Sequence, residues 1–223
     1  MDARIGSRHA EEHVKNLEKL VKKRAQSTDD SSTFISVGFP AVILGVWYRL
    51  NGLQEDANAC FRPWIEEAIQ ILSDDDPDND MEGLLKLWKV LFAAGDDKNS
   101  IAIMHYLGGY RDHERIESAV KGKDNGTDEE DDRPLACDGP CHRSFPNFNN
   151  IHICRYCVDF RFCEDCMQLL KSGAMPLNVC SQRLEWLFVP PLRQKVEREK
   201  LLIDGAQVDF KDFLNDLKRQ WQI

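Results

Sequence analysis

The sequence lacks the features that would place the chain in a membrane or export it from the cell. Its 223 residues contain no run of about 18 or more apolar residues, so no transmembrane helix is expected. The N-terminal stretch MDARIGSRHAEEHVKNLEKL is charged throughout and has no apolar segment of signal-peptide length. We therefore expect a cytoplasmic or nuclear protein that does not associate with a membrane.

The chain also lacks common catalytic motifs and a concentration of positive charge. It shows no Ser/His/Asp spacing, no phosphate-binding glycine loop and no nucleotide fingerprint. Residues 1–132 carry 16 Lys and Arg against 27 Asp and Glu, a net charge of −11, and residues 133–193 carry 7 against 5, a net charge of +2. Because phosphate binding needs a concentrated cationic surface, the whole chain does not look suited to nucleic acid.

Cysteines are almost absent outside one segment. Seven of the eight lie between residues 137 and 180, and the eighth, Cys60, lies in a helical pattern where a buried thiol is expected. Thiols stay reduced inside cells, so clustered cysteines there are more often metal ligands than disulfides. The segment is arranged as Cys137-x3-Cys141, Cys154-x2-Cys157, Cys163-x2-Cys166 and a final Cys180.

These paired cysteines favour zinc over redox chemistry. A tight C-x-x-C turn points two sulfurs at one tetrahedral centre, which is the geometry of zinc sites. A redox function would need a single pair at a helix start in a βαβ context, and no such context is apparent. We therefore predict that all seven cysteines of the segment are zinc ligands.

The block CDGPC…CRYCVDFRFCEDC resembles the ZZ-type zinc finger, whose core reads C-D-x-C and then C-x-x-C-x-D-Y-D-L-C-x-x-C. The first pair is one residue longer here, and the five-residue gap before Cys163 matches. The resemblance implies two cross-braced zinc ions, with two later ligands, usually histidines, completing the second. One ion would be held by Cys137, Cys141, Cys163 and Cys166, and the other by Cys154 and Cys157 with those later ligands.

The second site departs from the ZZ-type pattern. The sequence after Cys166 contains no histidine and only one further cysteine, Cys180. A fourth ligand at the family's spacing would fall at Leu184, which cannot coordinate a metal. His152 and His142 are the nearby substitutes; without them the fourth position would hold water or no ligand. We expect one complete zinc site and a second that is incomplete.

Residues 9–116 are predicted to form a helical repeat domain. An amphipathic helix over 9–27 is followed by a repeat over 38–107, in which Gly52 aligns with Gly95 and each copy reads as helix, glycine turn, helix. Each pair has an apolar face too wide to stand alone, so the pairs must stack. The pattern resembles a tetratricopeptide repeat, although the aligned glycines are 43 residues apart, against the usual period of about 34.

The remaining segments read as connections and a small C-terminal element. The acidic stretch SDDDPDND is predicted to be a loop in which Asp80 caps the next helix, and residues 117–134 an acidic linker. Within residues 193–223, two apolar runs around Asp204-Gly205 indicate a β-hairpin, followed by an amphipathic helix.

The predicted fold class is therefore mainly α, with tetratricopeptide-like helical hairpins, a small cross-braced zinc module at 135–192 and a C-terminal hairpin and helix. The helical repeats, the cysteine block, VPPL and the closing DFLNDLKRQW together resemble the C-terminal portion of large fungal tetratricopeptide-repeat proteins. That wider resemblance implies a short relative of those proteins or a fragment of one.

The predicted function is a non-catalytic zinc-binding protein that acts in protein–protein interaction or as a scaffold. Zinc would supply folding energy that so short a segment lacks. One alternative is a zinc-dependent hydrolase that uses the incomplete second site, with Glu164 or Asp165 as the base. Another is nucleic-acid binding through the zinc module, with a patch of Arg143, Arg155, Arg161 and Arg183.

The ZZ-type resemblance also bears on the ligand. ZZ fingers that capture a free protein N-terminus use acidic residues around D-Y-D-L, and the stretch here is Asp159-Phe160-Arg161-Phe162. Arg161 replaces the second acid with a fixed positive charge, which would repel an ammonium group. We predict that free N-terminal amines are not bound and that any ligand is acidic or contacts the helical repeats. The alternative role of Arg161 is an ion pair with Glu164.

Overall fold

In a computed structural model of the protein, the chain folds as two compact units. One unit comprises Met1–Asp96 with Lys211–Ile223, and the other comprises Asp97–Phe210. The residues that the structure describes are 8–25, 40–74, 76–121, 135–145, 148–157, 160–176, 180–181, 183–197 and 199–223. Within these ranges the secondary structure is mostly helical, which confirms the prediction of a mainly α chain.

Four helices build most of the first unit. Each packs on the next along the chain, and the second also contacts the fourth. Their apolar faces meet in a core of large side chains, including Phe61, Ile65, Leu84, Leu87 and Leu91. The helices are α1 (Arg8–Ala25), α2 (Pro40–Leu50), α3 (Gln54–Ile71) and α4 (Asp80–Ala94).

Glycine allows α2 and α3 to approach closely. A Cβ atom added at Gly45 would lie 2.7 Å from the ring of Phe61 and 3.1 Å from Cβ of Cys60. The helix pair therefore depends on the missing side chain, because nothing larger fits between the backbone of α2 and the ring on α3. Cys60, expected to be buried, is half-buried at this contact.

Both helix ends that the glycine pattern predicts are present. Gly52 after α2 has φ +75° and Gly95 after α4 has φ +82°, the left-handed conformation that commonly ends a helix. The predicted cap at Asp80 is wrong. Helix α4 begins at Asp80 itself, so the cap position is Asn79, whose side-chain amide donates to the carboxylate of Asp74 at 2.9 Å instead.

The second unit combines helices with three small antiparallel sheets. Its elements are α5 (Asp97–Lys121), β1 (Leu135–Ala136), β2 (Ser144–Phe145), β3 (Ile151–Cys154), β4 (Arg161–Phe162), α6 (Glu164–Ser172), β5 (Trp186–Val189), β6 (Lys200–Ile203) and β7 (Ala206–Asp209). The strand orders are β1-β2, β4-β3-β5 and β6-β7. Helix α7 (Phe210–Trp221) follows, and most of it belongs to the first unit.

The C-terminal hairpin is the one that the sequence predicts. Strands β6 and β7 pair in register from Lys200↔Asp209 to Ile203↔Ala206 across Asp204-Gly205, whose φ values are +50° and +82°. Helix α5 contacts β6, and Lys98 forms an ion pair with Asp204 at 2.5 Å.

Helix α5 continues to Lys121 and therefore extends beyond residue 116, where the sequence predicts the end of the helical domain. Residues 122–134 of the predicted linker lie outside the described residues. Among the described helices, none combines the length and apolarity needed to span a bilayer.

Candidate metal centre

Four thiols converge in the first cysteine cluster. The sulfurs of Cys137, Cys141, Cys163 and Cys166 all lie within 4.8 Å of one another, and none forms a disulfide. The Sγ atoms of Cys141 and Cys163 are 3.6 Å apart. Sulfurs bound at about 2.3 Å to one tetrahedral zinc are about 3.8 Å apart, whereas disulfide sulfurs are about 2.05 Å apart. The observed spacing therefore fits a shared metal ion.

A β-hairpin and a helix start bring these thiols together. Cys137 and Cys141 lie in the loop between β1 and β2, where the Cys137 N–H donates to the Arg143 carbonyl at 2.8 Å. Cys163 occupies the N-cap of α6, and Cys166 lies in the first turn of that helix. Each element thus supplies two sulfurs, in the manner of a zinc site built from paired cysteines.

Backbone amides donate to the sulfurs of this cluster. The N–H of Cys163 donates to Sγ of Cys137 and the N–H of Arg143 to Sγ of Cys141, each at 3.4 Å. The Arg143 amide lowers the pKa of the exposed Cys141 thiol to about 7, whereas burial raises the pKa of Cys166 and Cys137. A bound cation would displace the protons of the buried thiols, so metal binding here releases protons.

Gly139 gives the first cluster the room that it needs. A Cβ atom at this position would lie 2.5 Å from Sγ of Cys166 and 3.4 Å from Sγ of Cys137. Any side chain would push the first pair of cysteines away from the second. The cysteine spacing alone does not reveal this requirement, because the contact joins residues far apart in sequence.

The second cluster contains three thiols. Sγ of Cys180 lies 3.4 Å from Sγ of Cys154 and 3.7 Å from Sγ of Cys157, again close to the spacing around one tetrahedral ion. Cys154 ends β3, Cys157 lies in the turn that follows, and Cys180 comes from the chain beyond α6. Among the described residues, no fourth His, Cys, Asp or Glu joins this cluster.

Neither histidine suggested as a fourth ligand reaches the second cluster. Nε2 of His152 lies 2.7 Å from Oε2 of Glu164, and its ring packs against Phe188 with centroids 4.8 Å apart. His142 is exposed, in the turn before β2. The His152 contact lowers the pKa of the Glu164 carboxyl, so the pair supports the start of α6 and does not complete a metal site.

Two arginines of the proposed nucleic-acid patch are paired with carboxylates. Arg143 contacts Asp165 at 3.2 Å. Arg155 is buried, with its guanidinium 2.5 Å from Asp97 and 3.4 Å from Glu185. The buried Arg155 holds the turn between Cys154 and Cys157 against the start of α5, whereas the Arg143 pair is exposed.

The ZZ-type acidic stretch is only partly visible. Asp159 lies outside the described residues. The backbone N–H of Arg161 donates to Oδ2 of Asp138 at 2.7 Å, and the N–H of Asp138 donates to the Arg161 carbonyl at 2.9 Å. The Glu164 carboxylate contacts His152 and Gln168. Sequence reasoning missed the role of Asp138, although the aspartate of C-D-x-C was the available signal.

The comparisons with family models, curated proteins and solved structures found no match for this chain. What sequence and structure establish together is a helix-rich protein with two cysteine clusters able to hold metal ions, consistent with zinc.

Proposed function

We propose that this chain is a non-catalytic zinc protein that acts in protein–protein interaction or as a scaffold, and that two zinc ions cross-brace residues 135–192. The observation that supports the proposal is the interleaving of the two clusters. Along the chain, a pair from the first cluster is followed by a pair from the second, a second pair from the first, and Cys180 from the second. This order is the cross-brace of the ZZ-type zinc finger that the cysteine block resembles.

Zinc is proposed to have a structural role because residues 135–192 contain short strands and a small apolar core. Its strands are two to four residues long, and the β4-β3-β5 sheet buries only a few large side chains, among them Ile151, Ile153, Phe162 and Val189. Short strands with so small a core are marginal on their own. Metal binding would supply the missing folding free energy.

The surroundings of Glu164 and Asp165, the two candidates for the general base, do not favour the hydrolase alternative. A general base works best with a pKa near neutrality. The hydrogen bond from His152 moves the pKa of Glu164 the other way, and Asp165 pairs with Arg143. The first cluster, closed by four thiolates, leaves no position for a reacting water, so such a reaction would have to use the three-thiol second cluster.

A protein partner is proposed in preference to nucleic acid. The net charge of the whole chain is −9, which opposes phosphate binding. Ile43, Leu50 and Leu53, on α2 and just after it, are 40–42% exposed. These three side chains are therefore the candidate contacts for a protein partner on this helix and its C-terminal turn.

Chelation of the metal tests the structural role of zinc. We expect removal of zinc to make residues 135–190 susceptible to proteolysis while most of the helical circular dichroism remains, because the four helices α1–α4 have their own core. Loss of the whole helical signal would show one interdependent core, and no change at all would contradict the proposal. Zinc-dependent hydrolysis that Glu164→Gln abolishes would support the enzyme instead.

A further inference from the structure

Cys141 is the exposed member of the first cluster. The structure describes all eight cysteines of the chain, and among them Cys141 alone is exposed. The other thiols of its cluster are buried, with 1–2% of the surface of Cys137, Cys163 and Cys166 accessible. Cys141 lies within a run of exposed residues, 140–144, that forms the loop after β1 and the start of β2. A small solute therefore reaches this cluster through Cys141.

A second thiol lies within reach of this exposed sulfur. Sγ of Cys163, at the N-cap of α6, is 3.6 Å from Sγ of Cys141. A disulfide holds its sulfurs about 2.05 Å apart, so these two atoms must approach each other by about 1.5 Å. Because Cys141 lies on an exposed loop, that movement does not require α6 to leave its place.

The other two buried thiols of the cluster have contacts that hold them in place. Sγ of Cys137 accepts a hydrogen bond from the N–H of Cys163 at 3.4 Å. Sγ of Cys166 packs so closely on Gly139 that a Cβ atom at this glycine would lie 2.5 Å from it. Cys163 is therefore the thiol best placed to react with an oxidised Cys141.

We propose that Cys141 is an oxidation site for hydrogen peroxide, and that Cys163 converts the oxidised form into a Cys141–Cys163 disulfide. Redox-sensing cysteines are solvent-accessible and lie next to a resolving thiol, and this pair of residues has both features. The release of zinc that would follow rests on the proposed function, because it requires that the first cluster hold zinc. The inference adds a means of regulation to that site.

Two steps convert the thiolates and the peroxide into a disulfide and water. The Cys141 thiolate attacks one peroxide oxygen, so that an S–O bond forms while the O–O bond breaks and hydroxide leaves. The Cys163 thiolate then attacks the Cys141 sulfur, so that the S–S bond forms while the S–O bond breaks and a second hydroxide leaves. The two thiolates lose two electrons in total, and the peroxide gains them. Protons from the solvent convert both hydroxide ions into water.

This disulfide would join the same two elements that a metal in the first cluster joins. It links the loop between β1 and β2 to the start of α6. Only Cys137 and Cys166 then remain as thiolates, which is too few for a closed zinc site, so the ion would leave. Oxidation would thus replace a metal cross-link with a covalent one, and a reductant would restore the four thiolates.

Treatment of the zinc-loaded full chain with hydrogen peroxide, after removal of reductant, tests this inference. A chromophoric chelator follows zinc release, and N-ethylmaleimide blocks the remaining free thiols before disulfide mapping by peptide mass spectrometry. We expect the first disulfide to join Cys141 and Cys163, with the release of one of two zinc ions. Reduction with a phosphine and addition of zinc should restore two ions per chain.

Two variants separate Cys141 from the other thiols. Cys141→His keeps four zinc ligands, because imidazole coordinates zinc, but it removes the exposed thiol. We expect this variant to lose the early release of one zinc ion. Cys60→Ser removes a half-buried thiol outside both clusters and should release zinc as the native chain does. If Cys141→His does not load zinc, the disulfide map of the native chain decides.

A first disulfide other than Cys141–Cys163 would overturn the inference, as would early zinc release that persists in Cys141→His. If the chain binds two zinc ions, either result leaves the proposed function standing. A chain that binds no zinc would instead remove the proposed function. The disulfide map of that peroxide-treated chain would then still decide whether Cys141 and Cys163 are oxidised first.

Discussion

At the scale of single residues, Gly139 shows how tightly the first cluster is packed. A Cβ atom there would lie 2.5 Å from Sγ of Cys166, whereas one at Gly109 in α5 would meet nothing within 4 Å. We expect Gly139→Ala to destabilise the zinc-loaded protein by about 1–3 kcal/mol, as overpacking usually does, and to weaken zinc binding. Gly109→Ala should instead be neutral or stabilising by up to about 1 kcal/mol.

Thermal unfolding and competition with a chromophoric chelator would compare the two variants. Equal behaviour of Gly139→Ala and Gly109→Ala would show that the loop of the first pair can move away from Cys166, which would contradict the close approach described above.

Arg161 disfavours the binding of a positively charged ligand such as a free protein N-terminus. Its backbone N–H donates to Asp138 at 2.7 Å, so this carboxylate already has a partner inside the chain. A guanidinium within a few ångströms of an incoming ammonium group would repel it by about 1–4 kcal/mol, for effective dielectric constants between those of water and a protein surface. We expect no appreciable binding of free N-terminal amines.

Calorimetric titration of the full chain with matched peptides, free or acetylated at the N-terminus, would check this expectation. Micromolar binding of the free peptide that acetylation abolishes would refute it. Binding that appears only in Arg161→Asp would support it, because that variant restores the acidic character of the ZZ-type stretch.

At the scale of elements, the contact of α1 with α2 includes a hydrogen bond that responds to pH. The hydroxyl of Tyr48 on α2 donates to Glu18 on α1 at 3.0 Å. Burial, and then this bond, raise the pKa of Tyr48 from 10.0 to about 12. The stability that the neutral hydroxyl contributes is therefore complete below about pH 10, and it is lost as the pH rises towards 12.

Ultraviolet titration of tyrosinate should contain a step near pH 12 that Tyr48→Phe removes. The same variant should be less sensitive to unfolding between pH 10 and 12. A late step that survives in Tyr48→Phe would assign the raised pKa to another tyrosine and contradict the proposed contact.

Elements with strong local signals could be predicted from the sequence. Gly52 and Gly95 end helices because left-handed backbone suits glycine, and Asp204-Gly205 forms the hairpin because that turn needs two such residues. Long apolar periodicity likewise indicates the helices of the first unit.

Elements that depend on distant partners could not be predicted. Strand β3 pairs with β5 from Ile151↔Val189 to Cys154↔Trp186, and strands of two to four residues are too short to show an alternating pattern. The predicted cap of α4 is wrong because a loop hydrogen bond from Asn79 to Asp74 competes with a local capping preference.

The cysteine site likewise combines features that the sequence predicts with features that depend on distant partners. Pair spacing predicts which cysteines bind metal, and the ZZ-type resemblance implies the grouping in which the first four thiols lie together. The binding of a metal itself stays a prediction. The contact of His152 with Glu164 and the close approach of Gly139 to Cys166 are tertiary contacts, so they cannot be predicted from a local sequence pattern.

At the scale of the whole molecule, the chain is organised as two compact units with different sources of stability. The first unit buries large apolar side chains between helices. The second contains the seven clustered cysteines and three small sheets. A hydrophobic core stabilises the first, and we propose that metal ions bound to the cysteines add to the stability of the second.

Native mass spectrometry of the intact chain would count the metal ions that we propose cross-brace residues 135–192. We expect two zinc ions per chain, one of them lost in Cys163→Ser and the other in Cys180→Ser. Cys163→Ser should also lower the melting temperature more, since it breaks the cluster with four thiols. A chain that binds no zinc, or loss of the same ion in both variants, would rule out two interleaved zinc sites.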